Sequence, residues 1–372
     1  MSRFVPHPVA AVAALKAYDP GHDLPALRAH FAPAALAELG SNENPLGPPP
    51  AVLEALRRLP ATGMFRYPDP LGLALRRALA GRLGVDTSML ALGNGSHELL
   101  MLLAQCFAAP GDEVVFSEFG FAVFPIATAA VGATPVRVPA LPRTGGAPRG
   151  HDLPALAASV GPRARLVFLA NPNNPTGTWF TRDALRGFLG RIDPALPVVV
   201  DEAYHEYVDD PTVGSAVDLL GEFPNLVVTR TFSKGHGLAG LRVGYAVADP
   251  AIVDVLNRLR ESFNVNAVAL ELARIALGDS DHLDRVRAFN LAERARIADG
   301  LAARDLFVHP SMTNFVLVDF DRPAAAVEAK WLARGVVVRP MDGYGLPTCL
   351  RISVGAPEEN ARLLASLDEA LA

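Results

Sequence analysis

Cysteine is scarce in this chain: Cys106 and Cys349 are the only two in 372 residues. They lie far apart and match no metal-ligand spacing, so no disulfide framework is read and a reducing compartment is implied. Two small buried hydrophobes are their ordinary role. There is also no basic block. Lys and Arg number 34 against 39 Asp and Glu, a formal net charge of −5, which argues against nucleic acid as a partner. The first fifteen residues carry one early arginine but are broken by Pro6, His7 and Pro8, and they lack a signal-peptide pattern. The longest uncharged run, Phe119 to Val136, reaches membrane-spanning length. It contains Pro125, Gly132, Pro135 and two threonines, so it reads as buried helix and strand of a soluble core rather than a span. A cytoplasmic location with no membrane partner is therefore expected. No internal repeat and no extended low-complexity tract is present. Half the residues are hydrophobic and a fifth charged, enough for a full core in one large or two modest domains.

The chain is organised around Thr231-Phe232-Ser233-Lys234-Gly235-His236-Gly237-Leu238-Ala239-Gly240-Leu241-Arg242. Strand-like runs lead into it (Asn225 to Arg230) and out of it (Arg242 to Ala248). A lysine among small residues between apolar strands is expected to be partly desolvated. That lowers its pKa and frees the amine for Schiff-base chemistry. Thr231, Ser233 and Arg242 are suitable phosphate donors beside it. A phosphate and a carbonyl next to a lysine point to pyridoxal phosphate. Residues 235–240 also match G-x-G-x-x-G, but that fingerprint requires a helix to follow the glycines. Here another strand is expected.

Other segments supply possible partners. Met1 to Gly40 reads as a mixed arm with a turn at Tyr18 to Gly21, followed by a proline-rich irregular stretch, Ser41 to Pro50. Short helices are expected at Ala51 to Leu59 and Leu71 to Leu83, separated by a loop at Arg66 to Asp69. Gly95 and Ser96 precede an apolar helix, Leu99 to Phe107, whose free amides would make an anion site or, more plainly, an N-cap. A strand at Glu113 to Ser117 leads to Phe119, Phe121 and Phe124 on a helix, any of which could stack on a flat ring. Leu141 to Gly150 reads as an exposed loop. The strand Arg165 to Ala170 ends at Asn171-Pro172-Asn173-Asn174-Pro175, and Pro197 to Val200 ends at Asp201-Glu202-Ala203-Tyr204. An aspartate after Val-Val-Val is costly unless it meets a cation. Strands alternating with helices from Leu90 to Ala248 imply a mainly parallel sheet covered on both faces. Asn174, Asp201 and Lys234 then share its carboxyl rim, where such sheets bind ligands. Residues 254–314 read as helical. Strands at Asn314 to Phe320, Val336 to Arg339 and Leu350 to Val354, with helices at 324–333 and 358–371, suggest a second, smaller α/β domain. The expected division is 1–44 (arm, part of the small domain), 45–260 (large domain) and 261–372 (small domain).

The stretches SNENPLGPPP, RYPD, GNGSHE, FGFAVFPIATAAVGA, NPNNPTG, DEAYHEY, RTFSKGHGLAGLRVGY, FNVN, VVVRPMDGYGLP and LRISVG together resemble the fold-type I pyridoxal-phosphate aminotransferases. Among these they are most similar to the histidinol-phosphate aminotransferase family. The resemblance implies a seven-stranded type of large-domain sheet and a homodimer. Lys234 would hold the cofactor covalently, and its freed amine would move a proton at the substrate carbon. Asp201 would keep the pyridine nitrogen protonated. Asn174 and Tyr204 would bond the phenolic oxygen. Gly95, Ser96 and the His97 amide would hold the phosphate together with Thr231, Ser233 and Arg242. Phe121 would stack on the ring, and Tyr67 would reach the cofactor phosphate of the neighbouring subunit. Arg351, helped by Arg339, would bind the substrate anion, since a guanidinium grips carboxylate and phosphate in the same two-pronged way. Tyr18 and Asn264 are further substrate-side candidates.

The chain departs from the family pattern at His97, Gly235 and His236, and Glu261 to Asn264 lacks a common proline. None of these removes a catalytic group. The two histidines have no second ligand at metal spacing, so no metal is expected. The implied reaction is transamination of L-histidinol phosphate with 2-oxoglutarate. Aromatic amino-acid transamination and a threonine-phosphate decarboxylase-like reaction are the alternatives.

Overall fold

The computed structural model describes residues 8–13, 15, 21–32, 36–59 and 65–372. Tyr18 and most of the turn expected around it lie outside them. Thirteen strands occur among the described residues: β1 Ala37–Glu38, β2 Leu90–Gly93, β3 Glu113–Ser117, β4 Thr134–Val138, β5 Ala164–Ala170, β6 Val198–Asp201, β7 Leu226–Thr231, β8 Gly244–Ala248, β9 Phe307–Val308, β10 Phe315–Asp319, β11 Val336–Val337, β12 Arg339–Pro340 and β13 Cys349–Ser353.

Seven of them form the large sheet in the order β2-β8-β7-β6-β5-β3-β4. The central strands β5, β6 and β7 run parallel, and β8 is antiparallel to both its neighbours. β6 is Val-Val-Val-Asp and β7 is Leu-Val-Val-Thr-Arg-Thr, and every residue of both is buried. The apolar runs Val198 to Val200 and Leu226 to Val228 are what strands covered on both faces require, with the polar residues confined to the carboxyl ends. Alternate residues feed two cores. Val167, Leu169, Val198, Val200 and Val228 pack on one face, and Leu166, Phe168, Val199 and Val227 on the other. The register sets Ala170 beside Asp201 and Asp201 beside Thr229. The carboxyl ends of β5 and β6 therefore finish level and β7 runs two residues further, to Thr231, which brings the rim residues together.

The smaller sheet is antiparallel, in the order β12-β13-β10-β9. It builds its own core around Trp331, Val316, Val318, Leu350 and Ile352, with Ala37 and Leu39 of the arm and Ile297 and Leu301 of the long helix Ser280–Ala302. The arm joins this unit through β1, which runs parallel to β11. The helix Ala267–Leu277 packs instead on Leu73–Leu83 and Pro50–Arg58. Its Ala269, Leu272, Ala273 and Ala276 belong to the large-sheet core, whereas the sequence-based division at 261 put them with the small domain.

Several local expectations change. The helix after β2 begins at Ser96, not Leu99. The helix after β3 begins at Val123, so Phe124 is helical while Phe119 and Phe121 sit in the preceding turn. Arg242 does not open a strand. Its backbone is left-handed, φ 56°, and β8 starts at Gly244. Residues 235–240 end within one 3-10 turn, Ala239–Leu241, and β8 comes next, so they lack the helix that a dinucleotide fingerprint needs. The loop 141–150 is exposed at its tip but anchored by Arg149, whose Nη2 donates to Asp319 at 2.8 Å. Among the described residues, no helix is long and apolar enough to cross a membrane.

Candidate active site

The carboxyl rim of the large sheet opens onto a cavity of about 260 Å³. Lys234, Asp201, Asn174, Tyr204, Ser96, His97, Phe121, Thr231, Ser233, Arg242 and Arg351 all line it. Parallel strands deliver most of these, because each chemical residue sits at or just beyond a strand end. The small sheet contributes only Arg351, from the middle of β13.

Lys234 follows β7 by three residues. Its ammonium donates to the backbone carbonyls of Ser41 at 3.2 Å and Asn42 at 3.1 Å. Burial, and then the positive charge of Arg351, lower its pKa to about 8. A substantial fraction of neutral amine is thus available near neutral pH. Asp201 is 4% exposed. Its Oδ1 accepts from the Thr229 hydroxyl at 2.9 Å. Burial pushes the carboxyl up to about 7, with the neighbouring Glu202 adding to the rise. A buried carboxylate this poorly compensated is suited to receive a cation from the cavity.

One wall is an anion cup. The Gly95 backbone is at φ +81°, and a Cβ there would fall 2.5 Å from Arg242 Nη2. Only glycine lets that guanidinium approach the helix start. The helix begins at Ser96 with Gly95 as its cap and no side-chain capping bond. Ser96 is therefore not an N-cap, and its hydroxyl lines the cavity. The Thr231 hydroxyl donates to Ser233 Oγ at 2.9 Å, and Arg242 Nη1 donates to the same oxygen at 3.2 Å. Helix amides, three hydroxyls and one guanidinium form a phosphate-binding set. Burial, and then Arg242, lower the His97 pKa, so this side chain stays neutral beside the cup. His236 is buried at 4.6 Å from the Phe232 ring and is pushed down to about 3 by burial and then by His282. It is a neutral core histidine.

Arg351, which lines the same cavity, donates from Nη1 to Asn174 Oδ1 at 2.7 Å and from Nη2 to the Gly40 carbonyl at 2.9 Å. Arg339 stands across the ladder from Arg351 but lines an adjoining recess with Gly21, His22, Glu38, Gly40 and Ser41. Asn264 is not brought into the cavity. Its Nδ2 donates to Glu98 at 2.8 Å and to the Leu92 carbonyl at 3.1 Å, tying a loop to the start of the Ser96 helix. Tyr67 also lies away from it, 83% exposed and stacked on Phe263 with ring centroids 4.5 Å apart. Phe121 lines the cavity from its turn and meets Phe124 edge-on at 6.0 Å.

Reading the sequence missed Ser41 and Asn42, which line the cavity and hold the Lys234 amine. Their segment, Ser41 to Pro50, reads from sequence as an irregular loop and as one of the family-like stretches, with no role attached to either residue. The signal available was an asparagine, a residue tolerant of left-handed backbone, and Asn42 is at φ 55°.

The donor set fits pyridoxal phosphate. The cup suits a phosphate, the under-compensated Asp201 suits a protonated ring nitrogen, and the amine of Lys234 shares the cavity with both.

Comparison with known proteins agrees with this geometry. Residues 35–367 match the family model for aminotransferase class I and II. The chain is 48% identical over 374 residues, 100% of both proteins, to histidinol-phosphate aminotransferase 2 of Pseudomonas aeruginosa. It is 47% identical to the protein of the same name from Methylococcus capsulatus, over 98% of each. The crystal structure of histidinol-phosphate aminotransferase from Sinorhizobium meliloti, in complex with pyridoxal-5'-phosphate, superposes with a TM-score of 0.87 at 32% identity, covering 100% of this chain and 98% of that one.

Proposed function

The chain belongs to the class I and II aminotransferases, with their fold-type I architecture, and from that premise we propose that it transaminates L-histidinol phosphate. The amino group passes to 2-oxoglutarate, leaving imidazole-acetol phosphate and glutamate, and the cofactor is pyridoxal phosphate. One observation carries the reading: Lys234 and Asp201 line a single cavity together with the anion cup and Arg351. Relatives 43–48% identical over most of the chain bear the histidinol-phosphate aminotransferase name, which supports this substrate.

Ser96, the His97 amide, Thr231, Ser233 and Arg242, with Gly95 giving clearance, would hold the cofactor phosphate. Asp201 would hold the ring nitrogen, Asn174 and Tyr204 the phenolic oxygen, and Phe121 the ring face. When bound, this cofactor supplies the electron sink that makes the substrate carbon acidic. Lys234 holds the cofactor, and its lowered pKa lets Nζ accept and return the proton at the substrate carbon near neutral pH. Asp201 stays ionised once it has a cationic partner. Arg351 grips the carboxylate of one substrate and the phosphate of the other with the same planar fork. Arg339 supports it from the adjacent strand.

We place the enzyme in the cytoplasm, in keeping with its two unpaired thiols. The working form is a homodimer. Exposed apolar side chains concentrate at Leu46, Leu53, Leu56, Phe65, Tyr67, Leu71 and Leu73, with Leu259, a density that marks an interaction surface. Tyr67, 83% exposed, would reach the partner's cofactor phosphate. Light scattering should return twice the chain mass, and Leu56→Asp should lower it.

The substrate is tested by following the bound cofactor's visible band during titration with candidate amines, and by comparing kcat/KM. L-histidinol phosphate should exceed L-phenylalanine. The reverse order would replace this reading with aromatic amino-acid transamination.

A further inference from the structure

Asn42 is 1% exposed, and every polar group it carries is engaged. Its backbone N–H donates to Ser353 Oγ at 2.8 Å. Ser353 Oγ, already an acceptor there, donates its own proton to Asn42 Oδ1 at 2.8 Å. That fixes the side-chain amide, so Nδ2 is the group that donates to the Tyr204 hydroxyl oxygen at 2.9 Å. The Asn42 carbonyl accepts from Lys234 Nζ at 3.1 Å and from Asn314 Nδ2 at 3.0 Å.

The direction of this chain has a chemical consequence. With Asn42 N–H donating to Ser353 Oγ and Ser353 Oγ donating to Asn42 Oδ1, the amide turns its Nδ2 donor toward Tyr204. Tyr204 is an acceptor toward Asn42, and its single proton is therefore given to an acceptor other than Asn42. Tyr204 lines the cavity, where the function proposed above sets a phenolic oxygen as the acceptor. Ser353 lies two residues beyond Arg351 on β13, so the same anchor ties the tyrosine to the strand that binds the substrate anion.

We propose that Asn42 is a positioning residue that orients the Tyr204 hydroxyl as a donor into the cavity and holds the Lys234 amine through its own carbonyl. This rests on the pyridoxal phosphate reading. It predicts that reversing the Asn42–Tyr204 bond withdraws a hydrogen bond from the bound cofactor. A donor to an anionic oxygen favours its ionised form, so withdrawal should raise the pH midpoint at which the cofactor's visible band changes.

Asn42→Asp performs the reversal. Aspartate tolerates the left-handed backbone of this position, keeps the acceptor for Ser353 and replaces the donor to Tyr204 with an acceptor. In the holoenzyme the absorbance midpoint should rise by roughly 1 pH unit, and Tyr204→Phe should raise it similarly. In the Tyr204→Phe background Asn42→Asp should add little, because both changes remove the same bond. Asn42→Gly, which keeps the backbone conformation and carbonyl but removes the donor to Tyr204 without supplying an acceptor, should raise the midpoint by less than Asn42→Asp, and a Gly variant at the wild-type midpoint would count against the positioning role. An unchanged midpoint in Asn42→Asp, or an equal further rise in the Tyr204→Phe background, would overturn the role assigned to Asn42 while leaving the cofactor reading intact. A wild-type protein that binds pyridoxal phosphate with no visible band would remove that reading, and this inference with it.

Discussion

Asp201 and Glu202 are consecutive, both buried and both carboxylates, yet they end in opposite states. Asp201 meets a hydroxyl at 2.9 Å and is pushed up to about 7 by burial. Burial alone would raise Glu202 too, but Arg230 places Nε and Nη2 at 2.9 and 2.7 Å from one of its oxygens. The Ser215 hydroxyl and the Ala216 amide add further bonds. Glu202 is held below its ordinary value. Strand alternation explains the divergence, since neighbouring residues face opposite ways. Asp201 and Thr229 share the cavity side of one register pair, while Glu202 and Arg230 share the other. One face keeps an uncompensated charge for a ligand, and the face behind it is fully neutralised. Substitutions on the cavity side should therefore be felt in turnover, and those behind it in stability.

The largest expected effect is on the cavity side. Lys234→Ala should lower kcat by about 10⁴-fold with the urea midpoint unchanged or higher. Loss of folding instead would break the contrast. Arg230→Met should cost about 3–5 kcal/mol of stability, because it strands Glu202 as an unpaired buried charge. Urea unfolding measures this, and a shift below 1 kcal/mol would show that the pair is not the structural partner of Asp201.

Asp201→Asn sharpens the comparison through pH. The folded pKa of Asp201 is raised above its unfolded value near 4. The native cofactor-free protein therefore binds more protons than the unfolded chain between about pH 4 and 7, and its stability falls as pH rises through that window. Above pH 7 the cofactor-free Asp201→Asn protein should be more stable than wild type by about 2–4 kcal/mol. Glu206, also raised to about 7 mainly by burial, has the same sign in both proteins and cancels in the difference. The smallest effect is expected at Arg351→Lys. The charge stays but the two-pronged grip is lost, which should raise KM by roughly 10- to 100-fold with little change in unfolding.

Much of the cavity side was legible before folding. Asn174, Asp201 and Lys234 each follow an apolar run, and a parallel sheet collects such ends at one rim. Lysine is also rare, at Lys16, Lys234 and Lys330 only, so a lysine between two buried strands stood out. Asn42 was not legible. Its side chain and carbonyl meet Tyr204, Ser353 and Asn314, which lie 162, 311 and 272 positions away. Asn264 misled for the related reason that its motif marks a contact with Glu98 and Leu92, not with the cavity.

By itself the sequence determined where the central strands β5, β6 and β7 of the large sheet fall, which residues follow them, and the identity of the amine and carboxylate at the rim, because apolar runs and chain-local spacing encode these. Tertiary structure alone decided which carboxylate stays uncompensated, which way the Tyr204 hydroxyl is turned, and that Arg351 reaches the same cavity. Those outcomes depend on hydrogen bonds and charges brought within about 3 Å from distant parts of the chain, and no local pattern records them.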